Sequence, residues 1–269
     1  MSNNNPTNCD ANAVLDLIRL ICSAPKSTGP NPNTAPINVV IAGGFASGKT
    51  SFLNSITHAS NYLPANIDES LISIPVHISC SCGNTTPTIV GTNIAGNPVQ
   101  LPLDIIAALS HPQYKSHISS TLHDITVHIP AACDYLDGLS FLSSPFDDDK
   151  TISSFAHADF IFYCVSAKNC ISASEFNLLA HRTRPDGRRI PYAIVVTYAN
   201  LCPYDELSNR VNYNLQSLIS HFGNDDAPQS ILLFALAPDL STSTCNLFDS
   251  QSISSLFTNI HSLSPLATN

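Results

Sequence analysis

Hydrophobic positions along the chain fall into two rhythms. Continuous or nearly continuous apolar runs stand at Ile37–Ala42, Asp159–Val165 and Ala193–Val196. Runs of that length predict strands buried on both faces. Leu71–Cys82 and Ile125–Ile129 alternate apolar with polar residues, Leu139–Leu142 and Ile231–Leu236 read as further strands, and Thr88–Val90 begins another. Helical spacing appears at Asn12–Cys22, Ser51–Ile56, Leu103–Leu109, Glu175–His181, Tyr204–Phe222 and Ile253–Leu263. The longest, Tyr204–Phe222, places Leu207, Val211, Leu215, Leu218 and Ile219 on one stripe. Strands that alternate with helices predict an α/β fold, with a mostly parallel central sheet and helices on both faces. Such sheets bind ligands at the carboxyl ends of their strands. Met1–Asp10 reads as a loose tail, Ala24–Pro36 as a linker with four prolines, and Asn61–Glu69 as a polar segment. The expected organisation is therefore a tail, short helix and linker over 1–36 and a single large domain over 37–269. No internal repeat is present.

One junction carries specific chemistry. The run Ile37–Ala42 is followed by Gly43-Gly44-Phe45-Ala46-Ser47-Gly48-Lys49-Thr50-Ser51, and then by the helical stretch through Ile56. Strand, glycine-rich turn ending in Gly-Lys-Thr, and helix form the phosphate-binding loop in its required context. Gly43 and Gly48 let the backbone curl so that several N–H groups converge on one anion. The helix start adds its dipole and unpaired N–H groups. Lys49 can neutralise β- and γ-phosphates, and the Thr50 hydroxyl can ligate Mg²⁺. The expected fold is thus a P-loop NTPase.

Composition narrows the partners. The chain has 269 residues, 12% of them charged, and a net charge of −9. That balance argues against nucleic acid as the main partner. No apolar run approaches the ~20 residues of a membrane span. The polar, uncharged start Met1-Ser2-Asn3-Asn4-Asn5-Pro6 lacks the features of a secretory signal, so a cytoplasmic location is expected. Nine scattered cysteines and ten dispersed histidines show no metal-ligand spacing. Buried reduced thiols are expected.

The order of elements from about residue 37 to 262 resembles the G domain of the dynamin-like large GTPases, especially the bacterial branch. The loop Gly43–Asn54 is similar to that family's first motif. Ile74-Pro75-Val76-His77-Ile78 is similar to the strand after its first switch, and Val127–Pro130 with Asp137–Pro145 to its second switch. Ala158–Ala167 is similar to its central strand, and Thr197-Tyr198-Ala199-Asn200-Leu201 stands where it reads guanine with Asn-Lys-x-Asp. The resemblance implies GTP or GDP as ligand, with Thr197, Tyr198 and Asn200 beside the base and Mg²⁺ on Thr50. It also implies a homodimer through the nucleotide face, or a partner that supplies stalk or membrane elements. So few residues follow the last helix that neither element is expected within the chain itself.

Departures from the pattern bear on catalysis. Ser143-Ser144-Pro145-Phe146 stands where the family has Asp-Thr-Pro-Gly, so the metal-shell aspartate and the γ-phosphate glycine are replaced. Only Ser70 offers a hydroxyl where the switch-one threonine is expected, and Ala46 stands where eukaryotic members carry a catalytic serine. Asn200 in place of aspartate keeps one acceptor for guanine, and Tyr198 can stack on the purine. Asp147-Asp148-Asp149 is either a replacement carboxylate for Mg²⁺ or a solvated acidic turn. The segment His181–Arg189 holds four of the eleven Lys and Arg residues. It is either a docking patch or a helix end followed by the turn Pro185-Asp186-Gly187. Asp159 is expected to be structural. Three functions follow: a weak or partner-activated GTPase, a silent nucleotide-binding scaffold, or an ATP-using P-loop protein.

Overall fold

The structure is a computed structural model. It describes residues 36–57, 59, 74–106, 120–132, 134–144, 148–228 and 231–233. The expected helices at 12–22 and 253–263, the linker, and residues 145–147 lie outside them. In chain order the elements are β1 (Ile37–Gly43), α1 (Lys49–Thr57), β2 (Val76–Ser81), β3 (Thr88–Asn93), β4 (Pro98–Leu101), β5 (Leu122–Pro130) and β6 (Leu139–Ser143). There follow α2 (Asp148–Phe155), β7 (Phe160–Ser166), α3 (Ala173–Ala180), β8 (Tyr192–Thr197), α4 (Tyr204–Phe222) and β9 (Ile231–Leu233).

The strands form one sheet in the order β4-β3-β5-β2-β6-β1-β7-β8-β9. Pairings β6–β1, β1–β7, β7–β8, β8–β9 and β2–β5 are parallel. Pairings β2–β6, β3–β4 and β3–β5 are antiparallel. The sheet is thus mostly parallel, as the alternation of elements predicts, with an antiparallel wing on one side. In the wing, β2, β3 and β5 bury alternate residues only. The central strands β7 and β8 are buried almost throughout.

Two cores flank the sheet, and β1 supplies both by simple alternation. Val39 and Ile41 join one core with Phe52 and Leu53 of α1. Val40 and Ala42 join the other with Phe155 of α2, Leu179 of α3, and Leu207 and Leu218 of α4. Helices therefore lie on both faces. The chain leaves β6 on one side of β1 and returns as β7 on the other, so the loop after β1 sits at a topological switch point.

Two arginines of the basic segment 181–189, Arg182 and Arg184, are structural stitching, whereas Arg188 and Arg189 are exposed. Arg182 is fully buried, between the rings of Tyr192 (4.3 Å) and Phe222 (4.6 Å). Its guanidinium donates to Leu179 O (2.6 Å) and reaches Asp226 Oδ1 (2.6 Å). Burial draws the Arg182 pKa below its ordinary value and pushes the Tyr192 hydroxyl up to about 12. Arg184 pairs with Asp159, whose other oxygen accepts from Asn38 N at 2.8 Å. Asp159 therefore ties the start of β7 to β1 and to the turn before β8, a structural role. Asp159→Ala should cost about 2–3 kcal/mol, because it strands a charged partner and an amide of β1. A thermal melt should show a loss of several degrees.

Candidate functional site

The loop after β1 is built by backbone constraint. Gly43 has φ 142°, and a Cβ there would fall 2.2 Å from the carbonyl oxygen of Cys164 on β7. Gly48 has φ 80°, and a Cβ there would meet Thr197 Cβ at 3.2 Å and Tyr198 Cε2 at 3.3 Å. Ala46 takes φ 52°, a conformation that costs a non-glycine residue ~1–2 kcal/mol. Ser47 N donates to Gly44 O (3.2 Å), and Phe52 N to Gly48 O (2.9 Å), which closes the turn onto α1. Thr197 Oγ1 donates to Ser47 O at 2.7 Å, so the end of β8 clamps the loop.

Lys49 is fully buried at the first position of α1. Its Nζ donates to Gly43 O (3.1 Å) and Gly44 O (2.9 Å). A buried ammonium held by the carbonyls of its own loop is poised for an anion that can take over those contacts. Ser47 Oγ is buried and has no hydrogen-bond partner among the described residues. Thr50 and Ser51 are half-buried behind Lys49, whereas Phe45 and Ala46 are exposed at the loop tip.

The other sequence-predicted residues surround this loop. Thr197 is buried and its hydroxyl is committed to the loop and to Val165 O, while Tyr198 adopts φ 58° with its ring against Gly48. Asn200 is exposed in the short 3₁₀ turn Ala199–Leu201 that follows. Ser143 ends β6 beside Ile41 of β1. Its neighbour Ser144 turns inward, with N on Ile41 O (2.9 Å) and Oγ donating to Thr151 Oγ1 of α2 (2.9 Å). Asp149 is exposed in the first turn of α2, an unexpected helix at the acidic stretch.

Mg²⁺ can be tested against this donor set. The described residues hold no cluster of three or more His, Cys, Asp or Glu side chains. Thr50 and Ser143 are neutral hydroxyls. Mg²⁺ is ordinarily held by one or two carboxylates together with substrate phosphates. The residues therefore fit Mg²⁺ only when phosphate oxygens supply the negative charge.

Sequence reasoning missed one residue of the loop's surroundings. Glu175 of α3 forms a capping box with Ser172, and its Oε1 stands 3.3 Å from where a Gly44 Cβ would be. The Ser-x-x-Glu spacing signals the box in the sequence. Nothing in the sequence places it beside Gly44, because the approach depends on the packing of α3 against β7.

Neither a protein-family model nor a curated protein sequence matches the chain. Among solved structures, the fold is similar to two structures of an oligomerised bacterial dynamin pair, described as providing a mechanism for the long-range sensing and tethering of membranes. Their TM-scores are 0.60 and 0.58, each at 14% identity over 85% of this chain. This chain covers 35% of those proteins' length. The likeness shows the fold alone: a mostly parallel α/β sheet with flanking helices. No described helix is long and apolar enough to cross a membrane.

Proposed function

We propose that the chain binds a purine nucleoside triphosphate, GTP in preference to ATP, through Gly43–Ser51. The observation that carries this reading is Lys49, an ammonium wholly buried in a loop whose three positive-φ residues curl around it at a switch point. Lys49 would neutralise the β- and γ-phosphates, the N-terminus of α1 would receive a phosphate, and Thr50 would hold the accompanying Mg²⁺. Bound in that way, Mg²⁺ supplies charge neutralisation. Thr197 would hold the loop, Tyr198 would stack on the base, and Asn200 would accept from its edge. Calorimetric affinities for GTP, GDP and ATP, with and without Mg²⁺, test the reading. A parent chain that binds none of them would reduce the loop to a structural relic.

Asn200→Asp should raise GTP-over-ATP selectivity about 30-fold or more. It restores two charge-assisted acceptors, each worth ~1.5–3 kcal/mol, where a neutral bond gives ~1. Competition binding measures the ratio, and an unchanged ratio would place the base elsewhere.

Hydrolysis, where it occurs, would be direct attack of water on the γ-phosphate. Turnover would be well below the typical ~10 s⁻¹, because β6 ends in Ser143 rather than a carboxylate. The same observation supports a second reading, a silent nucleotide-binding scaffold, and single-turnover assays separate the two. The exposed Phe45 (62%) and Leu201 (53%) at the loop end of the sheet support pairing with a second copy through the nucleotide face. Stalk or membrane elements would then come from a partner, and a cytoplasmic location fits that reading.

A further inference from the structure

We infer that Glu175 is a specificity-determining residue that biases the phosphate loop toward nucleoside diphosphate over triphosphate; the inference rests on the nucleotide-binding reading above. Three observations place its charge. First, Glu175 Oε1 lies 3.3 Å from the Cβ position of Gly44, so no side chain separates the carboxylate from the loop backbone. Second, Lys49 Nζ sits 2.9 Å from Gly44 O, on the same residue that Glu175 abuts. The carboxylate and the ammonium therefore both approach the same residue of the loop. Third, the carboxylate is held in place. Its Oε2 accepts from Ser172 N (2.8 Å) and Ser172 Oγ (2.8 Å), and its Oε1 accepts from Tyr163 Oη (3.4 Å). Tyr163 is fully buried in β7, so it cannot release Oε1 by swinging into solvent.

A terminal phosphate drawn to Lys49 enters the field of this fixed negative charge. Repulsion grows with the charge of the ligand, and because Glu175 is half-buried it is partly screened by salt. GTP carries one more phosphate than GDP, so it loses more. The capping box alone does not require a charge at this position, since glutamine at the same position completes it equally. The carboxylate therefore adds a feature that the helix start itself does not need.

Glu175→Gln in the full chain tests this, because it removes the charge and keeps the shape and the cap. Calorimetry with GDP and with GTP at fixed excess Mg²⁺ should show the ratio of GTP to GDP affinity rising about three- to tenfold. The rise should shrink at 0.5 M salt. Glu175→Asp, which keeps the charge but withdraws it from Gly44, should give an intermediate ratio, and a thermal melt of each variant checks the fold. An unchanged ratio, or equal changes for both nucleotides, would overturn the inference while leaving the nucleotide site standing. A parent and variants that bind neither nucleotide would overturn both readings.

Discussion

Lys49→Ala should weaken GTP binding at least 100-fold while the protein remains folded. The expected size follows from the contacts that disappear. A charge-assisted hydrogen bond is worth ~1.5–3 kcal/mol, and an ammonium shared between two phosphates makes about two, so ~3–6 kcal/mol is lost. Each 1.4 kcal/mol is about tenfold in affinity. The fold should survive, because depriving the buried Gly43 carbonyl and the Gly44 carbonyl of this donor costs ~1–3 kcal/mol, less than the ~5–15 kcal/mol stability of a typical domain. Lys49→Met keeps most of the buried stem without the charge, and separates lost packing from lost electrostatics. Calorimetry with a parallel thermal melt measures both terms. Parent-like affinity in either variant would remove the loop from the binding site.

The parts of this protein that were legible in the sequence are those where a local pattern decides the outcome. Strands β7 and β8 are visible as apolar runs because burial on both faces excludes polar residues. Helix α4 ends where its apolar stripe ends, at Phe222, before Gly223 with φ 84°. Helix α2 was illegible because its first turn is Asp148-Asp149-Lys150, which reads equally as a solvated turn. Strand β4 was illegible because it has four residues, opens on Pro98 and exposes alternate positions at the sheet edge. The antiparallel wing was illegible as a direction: alternation shows that a strand is half-buried, not which way its neighbour runs. The loop itself was legible through its glycine spacing. Its supports were not. The Thr197 clamp spans 150 residues, and Arg182 reaches Asp226 across 44. Contacts of that separation are set by packing, and an arginine such as Arg182 looks the same in sequence whether it faces solvent or fills the gap between Tyr192 and Phe222.

Gly43→Ala should destabilise the protein by more than about 3 kcal/mol, a larger stability loss than any other substitution considered for the loop. Gly43 is the last residue of β1 and pairs in register with Cys164 of β7. An added Cβ would fall 2.2 Å from the Cys164 carbonyl oxygen and 2.8 Å from Ser47 Oγ. The first contact is with backbone at the centre of the sheet, where Cys164 is fully buried, so no flexible side chain can yield. Relief requires β1 and β7 to part, which breaks pairing next to both cores. The positive φ adds its own cost. Gly187→Ala is the control: its φ of 84° is also positive, but a Cβ there meets nothing within 4 Å, so only ~1 kcal/mol of backbone strain is expected. For a domain of this size ~1 kcal/mol shifts Tm by ~2–4 °C. The two variants should therefore separate clearly in a melt, with Gly43→Ala lower by roughly 6 °C or more. Any Gly43→Ala protein that remains folded should also bind GTP more weakly, since the loop cannot curl without the strand end that launches it. Equal melting temperatures for the two variants would mean that β1 and β7 do not meet at Gly43 as described.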